Sequence, residues 1–438
     1  MKQLVLIAAA LFATEASSRA ETLSFPKIWQ QVDSGSAAEE SSRLMMQSAS
    51  EAKERASRHW LPRIYLDART YGSNDPGAAF MGLLEQRSLQ QTDFNPDSIN
   101  HPGNHLYSRA ALGLDLPLYQ GGMGVAQVDV GGAAVAAKTE EAEQVRLDQY
   151  AEAGKAYASL AALDRGLKSL GEVQASVERL HKRYQLGTKS NPVGYSGALG
   201  MKALGQRLEA LIQQYSAQKQ AILAELREFG VAASSWSPEA IPAPAFADRY
   251  FELQAAPAGS HRLESLKSMA EMSEKSVALE KGKFLPQLGV FAEGYGFNGV
   301  RDTATGYSAG LYLRWSLFNP AEYGAVTEAK LKAASAERYA EASGQEERAE
   351  LVGLRLSLQA LRGNIGILQE TEQVLREQAN VTETLFKNGS INALQFVEVV
   401  SRRADLAVQQ LEADLSFLKL SAQAFAKEKS DIAALNGK

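Results

Sequence analysis

The chain contains no cysteine. That excludes disulfides, a thiolate nucleophile and a thiolate metal site, so stability has to come from packing or assembly. It also removes the acylation site of a bacterial lipoprotein anchor. Histidine is scarce: His59, His101, His105, His181 and His261 stand at no metal-ligand spacing, and no H-E-x-x-H occurs. His101 and His105 are separated by Pro102 and Gly103, which are loop residues. No stretch reaches 18 uninterrupted apolar residues, so no membrane-spanning helix is expected. A net charge of −5 supplies no basic stripe for nucleic acid. Catalytic constellations are absent too. Gly121-Gly122-x-Gly124 follows a strand pattern and reads as its turn, and Met269 and Met272 read as helix-seam residues. The chain is expected to be no enzyme and to carry no metal or cofactor.

Proline is also rationed. All 13 fall at breaks or strand ends, and none lies in 118–191, 193–237, 258–285 or 321–438. An interior proline costs a helix about 3 kcal/mol, so these clean stretches fit uninterrupted helices. Pro117 sits inside a strand pattern near its end, where an edge or a bulge would tolerate it.

What is present is a duplication. Strand patterns at 61–72 and 108–119 precede a helical pattern over 122–186, and strand patterns at 285–296 and 306–318 precede another over 322–388. The strand Leu114-Asp115-Leu116-Pro117-Leu118-Tyr119 matches Leu313-Arg314-Trp315-Ser316-Leu317-Phe318. Helical ends Tyr184-Gln185-Leu186-Gly187-Thr188 and Phe386-Lys387-Asn388-Gly389-Ser390 also match. Gly187 and Gly389 read as helix-ending glycines, each followed by a returning helix, over 193–230 and 391–430. Shorter helices are expected at 23–58 and 258–284. Heptad steps run through Leu160, Leu163, Leu167 and Leu170; through Leu351, Leu354, Leu358, Leu361, Ile365 and Leu368; and through Leu411, Leu415, Leu418, Ala422 and Phe425. Such narrow seams belong to helices packed side by side, and one of about 65 residues is roughly 97 Å long.

Residues 1–20 read as a secretory signal: Lys2, an apolar stretch over 4–13, and Ser18-Arg19-Ala20 as the cleavage site. The domain plan is then 1–20 signal, 21–236 first repeat, 237–257 a proline-rich linker, and 258–438 second repeat. Residues 74–104 read as a polar, exposed extracellular loop, longer than its counterpart at 297–305.

Each strand has one apolar and one polar face. Ile64, Leu66 and Ala68 oppose Arg63, Tyr65, Asp67 and Arg69; Leu112, Leu114, Leu116 and Leu118 oppose Gly113, Asp115 and Tyr119. In the second repeat Leu288, Val290 and Ala292 oppose Phe291, Glu293 and Tyr295; Leu311, Leu313, Trp315 and Leu317 oppose Tyr312, Arg314 and Ser316. This is the outer-membrane barrel pattern, although a half-buried soluble sheet alternates likewise. Four strands cannot close, and an open edge in lipid leaves unpaired backbone groups. Two copies would give eight strands and a filled interior; three would give twelve and a wet bore, which the charged face favours.

These residues resemble the outer-membrane efflux protein family, the TolC-like channels, over nearly the whole chain after residue 20. The likeness rests on the duplicated strand pair plus helix, Leu61-Pro62 and Leu285-Pro286 opening strands, the Leu-Pro-Leu-Tyr-Gln-Gly-Gly run ending at Gly122, and the aromatic-x-x-Gly helix ends. It implies an α+β membrane channel: four β-strands per protomer in a 12-stranded trimeric outer-membrane barrel, continued by long antiparallel coiled-coil helices as an α-barrel across the periplasm. It also implies a gate at the helix tips, a periplasmic adaptor and an inner-membrane RND or ABC transporter. The gate would comprise Tyr184, Gly187, Phe386, Gly389 and Glu398, with Arg69, Asp115 and Arg314 facing the barrel lumen. Ile391 and Gln395 stand where the family has a basic and an acidic residue, so its charged lock is not carried over. The expected function is a passive exit duct in the outer membrane for small molecules. The alternatives are the outer component of a type I protein-secretion system, or a structural periplasmic coiled-coil protein.

Overall fold

The computed structural model describes residues 21–184, 189–231, 236–253, 259–430, 432 and 435; the expected signal over 1–20 and Gly187 lie outside them. The chain opens with β1 (Glu21–Leu23), α1 (Phe25–Gly35) and α2 (Ala37–Ser57). Strand β2 (Arg63–Ser73), helices α3 (Pro76–Glu85) and α4 (Pro96–Asn100), and β3 (His105–Gln120) follow. A hairpin of α5 (Met123–Arg183) and α6 (Pro192–Glu228) leads to β4 (Trp236–Pro238) and α7 (Ala243–Tyr250). The pattern then recurs as α8 (His261–Gly282), β5 (Gln287–Asn298), β6 (Thr303–Arg314), α9 (Ala325–Lys387) and α10 (Ala393–Phe425).

By internal contacts the chain divides into two compact units. One comprises Leu44–Thr139 and Glu264–Ala342. Its centre is a four-stranded antiparallel sheet in the order β2-β3-β5-β6, so β2 and β6 are open edges. Pro117 lies at a bulge: the β3–β5 register shifts between Pro117 and Tyr119. That one-residue slip turns Tyr119 to the face of Leu288, its partner, so the expectation of Tyr119 on the polar face is corrected. Strand β6 ends at Arg314, which puts Trp315 and Leu317 beyond the sheet, contrary to the pattern over 306–318. Trp315 instead donates its indole N–H to the Phe284 carbonyl at 3.1 Å.

The connection over 74–104 is also not a polar loop. It folds into α3, a short 3-10 turn and α4, and buries Gly82, Gln86 and Asp93. The local reason is chemical. Asp75 and Asn95 accept the N–H of Ala78 and Asp97, at 2.8 and 3.1 Å, and each precedes a proline that cannot donate. A capping acceptor followed by proline favours the start of a helix.

The second unit comprises residues up to Arg43, Glu140–Leu263 and Ser343–Lys438. An aromatic core gathers Phe25, Trp29, Tyr150, Tyr157, Phe246, Tyr250, Phe251 and Phe425, all buried. Phe25 meets Tyr150, Phe246 and Tyr250 edge-on at 5.1, 5.4 and 5.1 Å, a geometry that favours ring edges against ring faces. Thus the proline-rich segment 237–257 contributes α7 and three of these rings. Tyr157 joins β1 to the residue after β4, donating to the Leu23 carbonyl at 2.7 Å and accepting the Glu239 N–H at 2.8 Å. The helix seams pack as their heptads indicate: Leu351, Leu358 and Ile365 are buried, with Leu354, Leu361 and Leu368 against them.

Candidate functional site

Two places gather the residues singled out above, one in each unit. The first is the polar face of the sheet. Strand register puts Arg63, Tyr65, Asp67, Arg69 and Tyr71 of β2 on one face with Tyr107, Arg109 and Asp115 of β3, Phe291, Glu293 and Tyr295 of β5, and Tyr312 and Arg314 of β6. Asp115 accepts the Tyr312 hydroxyl at 2.9 Å, and Arg314 lies over the Tyr312 ring at 5.7 Å. Arg69 is exposed, 3.9 Å from Asp67. The expected lumen residues therefore do share a face.

Its hub, however, is a pair that strand-by-strand reading missed. Arg109 donates to Glu293 at 2.6 Å, Tyr65 donates to the same carboxylate at 3.1 Å, and Arg109 also lies over Tyr295 at 4.9 Å. Aromatics cover glycines on the neighbouring strands. A Cβ at Gly113, Gly289 or Gly306 would come within 2.2, 2.4 or 2.6 Å of Tyr65, Tyr312 or Tyr295. Rings folded over bare backbone keep this face thin and polar-tipped.

Among the described residues, the opposite face is largely uncovered. Ile64, Leu66, Leu112, Leu311 and Leu313 are exposed, Leu66 and Leu311 at 74% and 72%. Exposed aromatics stand at one end of the sheet (Trp60, Tyr119, Phe284, Trp315, Phe318, Tyr323) and Tyr307 towards the other. An apolar band bounded by aromatic side chains is how a sheet meets a bilayer and its two interfaces.

The second place is the pair of hairpin tips. Tyr184, just past α5, meets Phe386 of α9 at 5.6 Å, and Phe386 stacks on Phe396 of α10 at 5.0 Å. Phe396 is fully buried; nothing in the heptad pattern distinguished it from its neighbours. Gly389 has φ +74°, and its N–H reaches the Phe386 carbonyl while Ser390 N–H reaches that of Leu385, at 3.1 and 2.9 Å. This paired closure needs a left-handed residue at Gly389, the reason for glycine there. Asn392 and Gln395 then cap α10 reciprocally at 3.0 and 3.1 Å. So Gln395 serves as helix cap rather than in a charged ring. Tyr184, Phe386, Gly389, Ile391 and Gln395 line one cleft of about 850 Å³. Glu398 does not join them: it is exposed and pairs with Arg402 of its own helix at 2.5 Å. The last turn of α5 is basic, with His181, Lys182 and Arg183, and Lys387 closes α9 beside Glu383 at 2.7 Å.

Among the described residues, no group of three or more His, Asp or Glu is placed to hold a metal ion, and no helix is long and apolar enough to cross a membrane.

No protein-family model matches the chain, and no curated protein sequence does. Solved structures do match. The Campylobacter jejuni CmeC outer membrane channel aligns at TM-score 0.73 and 13% identity, covering 94% of this chain and 88% of its own. CusC, described as undergoing conformational changes on folding and transmembrane channel formation, aligns at 0.74 and 10%, covering 96% of each. The outer membrane protein VceC of Vibrio cholerae aligns at 0.69 and 16%, covering 92% and 96%. At such identities the likeness is one of fold. This chain has the fold of outer-membrane channel proteins, and those neighbours are not enzymes.

Proposed function

We propose that the protein is an outer-membrane exit duct of an efflux system, a homotrimer that passively conducts small molecules handed over by a periplasmic adaptor and an inner-membrane pump of the RND or ABC type. The observation that carries this reading is the sheet: two unpaired edges, one uncovered apolar face bounded by aromatics, and one polar face. Each unsatisfied backbone group in lipid costs several kcal/mol, so the edges need further strands. Because the strand count is even and the pairing antiparallel throughout, β6 of one copy can pair antiparallel with β2 of the next. Three copies make twelve strands around a water-filled bore lined by Arg69, Asp115, Arg314, Arg109 and Glu293.

The helical unit supports the same assembly. Besides its buried seam, α9 leaves Leu356, Ile367, Val374 and Val381 uncovered. A neighbouring copy gives this second row a partner. In this reading the cleft around Tyr184, Phe386 and Gly389 belongs to the periplasmic gate, with Gly187 as the matching glycine of the first repeat by sequence, and Glu398 adds a carboxylate per copy. The basic end of α5 is where an adaptor would dock.

Deleting the gene tests the assignment. Increased sensitivity to drugs, metals or bile-like detergents, restored by the intact gene, is the expected result. Unchanged sensitivity with loss of a secreted protein would move the reading to secretion. An intact phenotype with a soluble monomer would leave only a structural coiled-coil protein.

A further inference from the structure

The connection between β2 and β3 folds over the polar face of the sheet, not away from it. A Cβ at Gly82 of α3 would come within 2.7 Å of the Tyr107 ring, and Tyr107 shares its face with Arg109 and Asp115. Tyr107 and Phe297, stacked at 6.0 Å, are only 1% and 2% exposed, whereas leucines on the other face lie bare.

The cover is fastened to the β5–β6 turn. Gln86 accepts the N–H of Arg301 and Asp302 at 2.8 and 2.9 Å, and donates to the Gly82 carbonyl at 2.8 Å. Asp93 is buried and takes both arms of the Arg301 guanidinium, one at 2.6 Å; Arg301 also reaches the Ser88 carbonyl at 3.0 Å. A two-armed, charge-assisted pair fixes orientation as well as position. The end of α3 is held in an unfavourable conformation: Arg87 is the one non-glycine residue with positive φ among the described residues, at 55°. Strain of this kind persists where surrounding contacts over-determine the backbone.

The side of α3 turned away from Tyr107 is apolar. Phe80 packs against Phe94 at 5.9 Å, and Met81, Leu84 and Phe94 are exposed. Twelve strands about 4.8 Å apart and tilted by roughly 40° enclose a bore of about 12 Å radius to the backbone. A helix with its side chains is about 10–12 Å across. Three copies of α3 lying on that wall would therefore leave little more than side-chain space at the axis.

We propose that α3 of each copy meets the α3 helices of the other two to form an apolar collar across the outer mouth of the bore, latched by the Asp93–Arg301 pair. This rests on the trimeric duct reading, and it gives the exit its own hydrophobic constriction, separate from the helix tips. Such a constriction gates by expelling water and favours apolar cargo over hydrated ions.

The cysteine-free chain makes the test clean. Full-length Met81→Cys, Leu84→Cys and Leu311→Cys proteins are reconstituted in planar bilayers, and cadmium or a membrane-impermeant maleimide is added from the side of the β2–β3 connection. Conductance of Met81→Cys and Leu84→Cys is expected to fall by about half or more, as for ligands placed at a constriction, and that of Leu311→Cys to stay unchanged. Arg301→Ala, if it still forms heat-resistant oligomers, is expected to conduct more than wild type. Complete labelling of Leu84→Cys and Met81→Cys, shown by mass, with wild-type conductance would overturn the collar. A wild-type protein that conducts nothing would instead remove the duct reading on which the collar rests.

Discussion

A basic side chain at Leu311 should separate a membrane sheet from a soluble one. Leu311 lies on the uncovered face of β6, opposite Val290. It is midway between Trp315 and Tyr307, the exposed aromatics towards either end of that strand. The intervening chain measures about 26 Å at 3.3 Å per residue, which at a tilt of roughly 40° spans about 20 Å of height, most of the apolar band of roughly 25 Å on membrane barrels. Leu311→Arg therefore puts a guanidinium near the bilayer midplane, at a cost of about 2–4 kcal/mol per copy. Threefold repetition raises this to roughly 6–12 kcal/mol per assembly, comparable with the whole stability of a domain. Ser308→Arg is the control. It lies three residues away on the other face, opposite Glu293, and gains an opposite charge as its cross-strand neighbour. The assay compares outer-membrane yield and heat-resistant oligomer on gels. Leu311→Arg should be strongly depleted and Ser308→Arg near wild type. Equal, normal behaviour of both would refute the reasoning, because an exposed leucine on a soluble sheet tolerates arginine.

Three further outcomes follow from packing and charge in the helical unit. Phe396→Ala removes a fully buried ring stacked on Phe386 and should cost about 3–5 kcal/mol, read as protease cleavage at the tips at lower temperature. Tyr157→Phe strips the hydroxyl from the Leu23 carbonyl and the Glu239 N–H, leaving buried groups unpaired at about 1–3 kcal/mol; a drop in melting temperature without loss of oligomer is expected. The Glu39 carboxyl is pushed up to about 7 by burial and by Asp33 beside it, against the pull of Arg146. A raised carboxyl favours the folded state fully below its ordinary range near 4.5, and that contribution is lost as pH rises through about 7. Glu39→Gln should thus flatten the pH dependence of melting between these values and gain on wild type above them.

Alternation and heptads carried most of this architecture into view, because a sheet with one apolar and one polar face and helices with narrow seams both write their period directly into the side chains. What stayed hidden depended on register or on caps. The bulge at Pro117 reverses the facing of Tyr119, and no count by twos can see one residue inserted. The Arg109–Glu293 pair needed the β3–β5 register. The folded connection over 74–104 was concealed by its polar composition. Yet Asp75-Pro76 and Asn95-Pro96 carry the signal that Asn191-Pro192 gives at the start of α6, where Asn191 accepts the Gly194 N–H at 3.1 Å. The segment over 237–257 was hidden by its prolines, while its Phe246, Tyr250 and Phe251 spoke for core. At the tips, the aromatic and glycine positions were legible; Phe396 and the capping role of Gln395 were not.

The central claim is that separate copies complete one sheet through β6 and β2. With no native thiol to interfere, one cysteine on β2 at Thr70 can be paired in turn with a cysteine at each position of β6. Oxidation in the membrane should give, at one register, a covalent three-chain species that survives boiling and reverts to single chains on reduction. Cross-linking at no position, or a series that stops at two chains, would contradict the twelve-stranded ring.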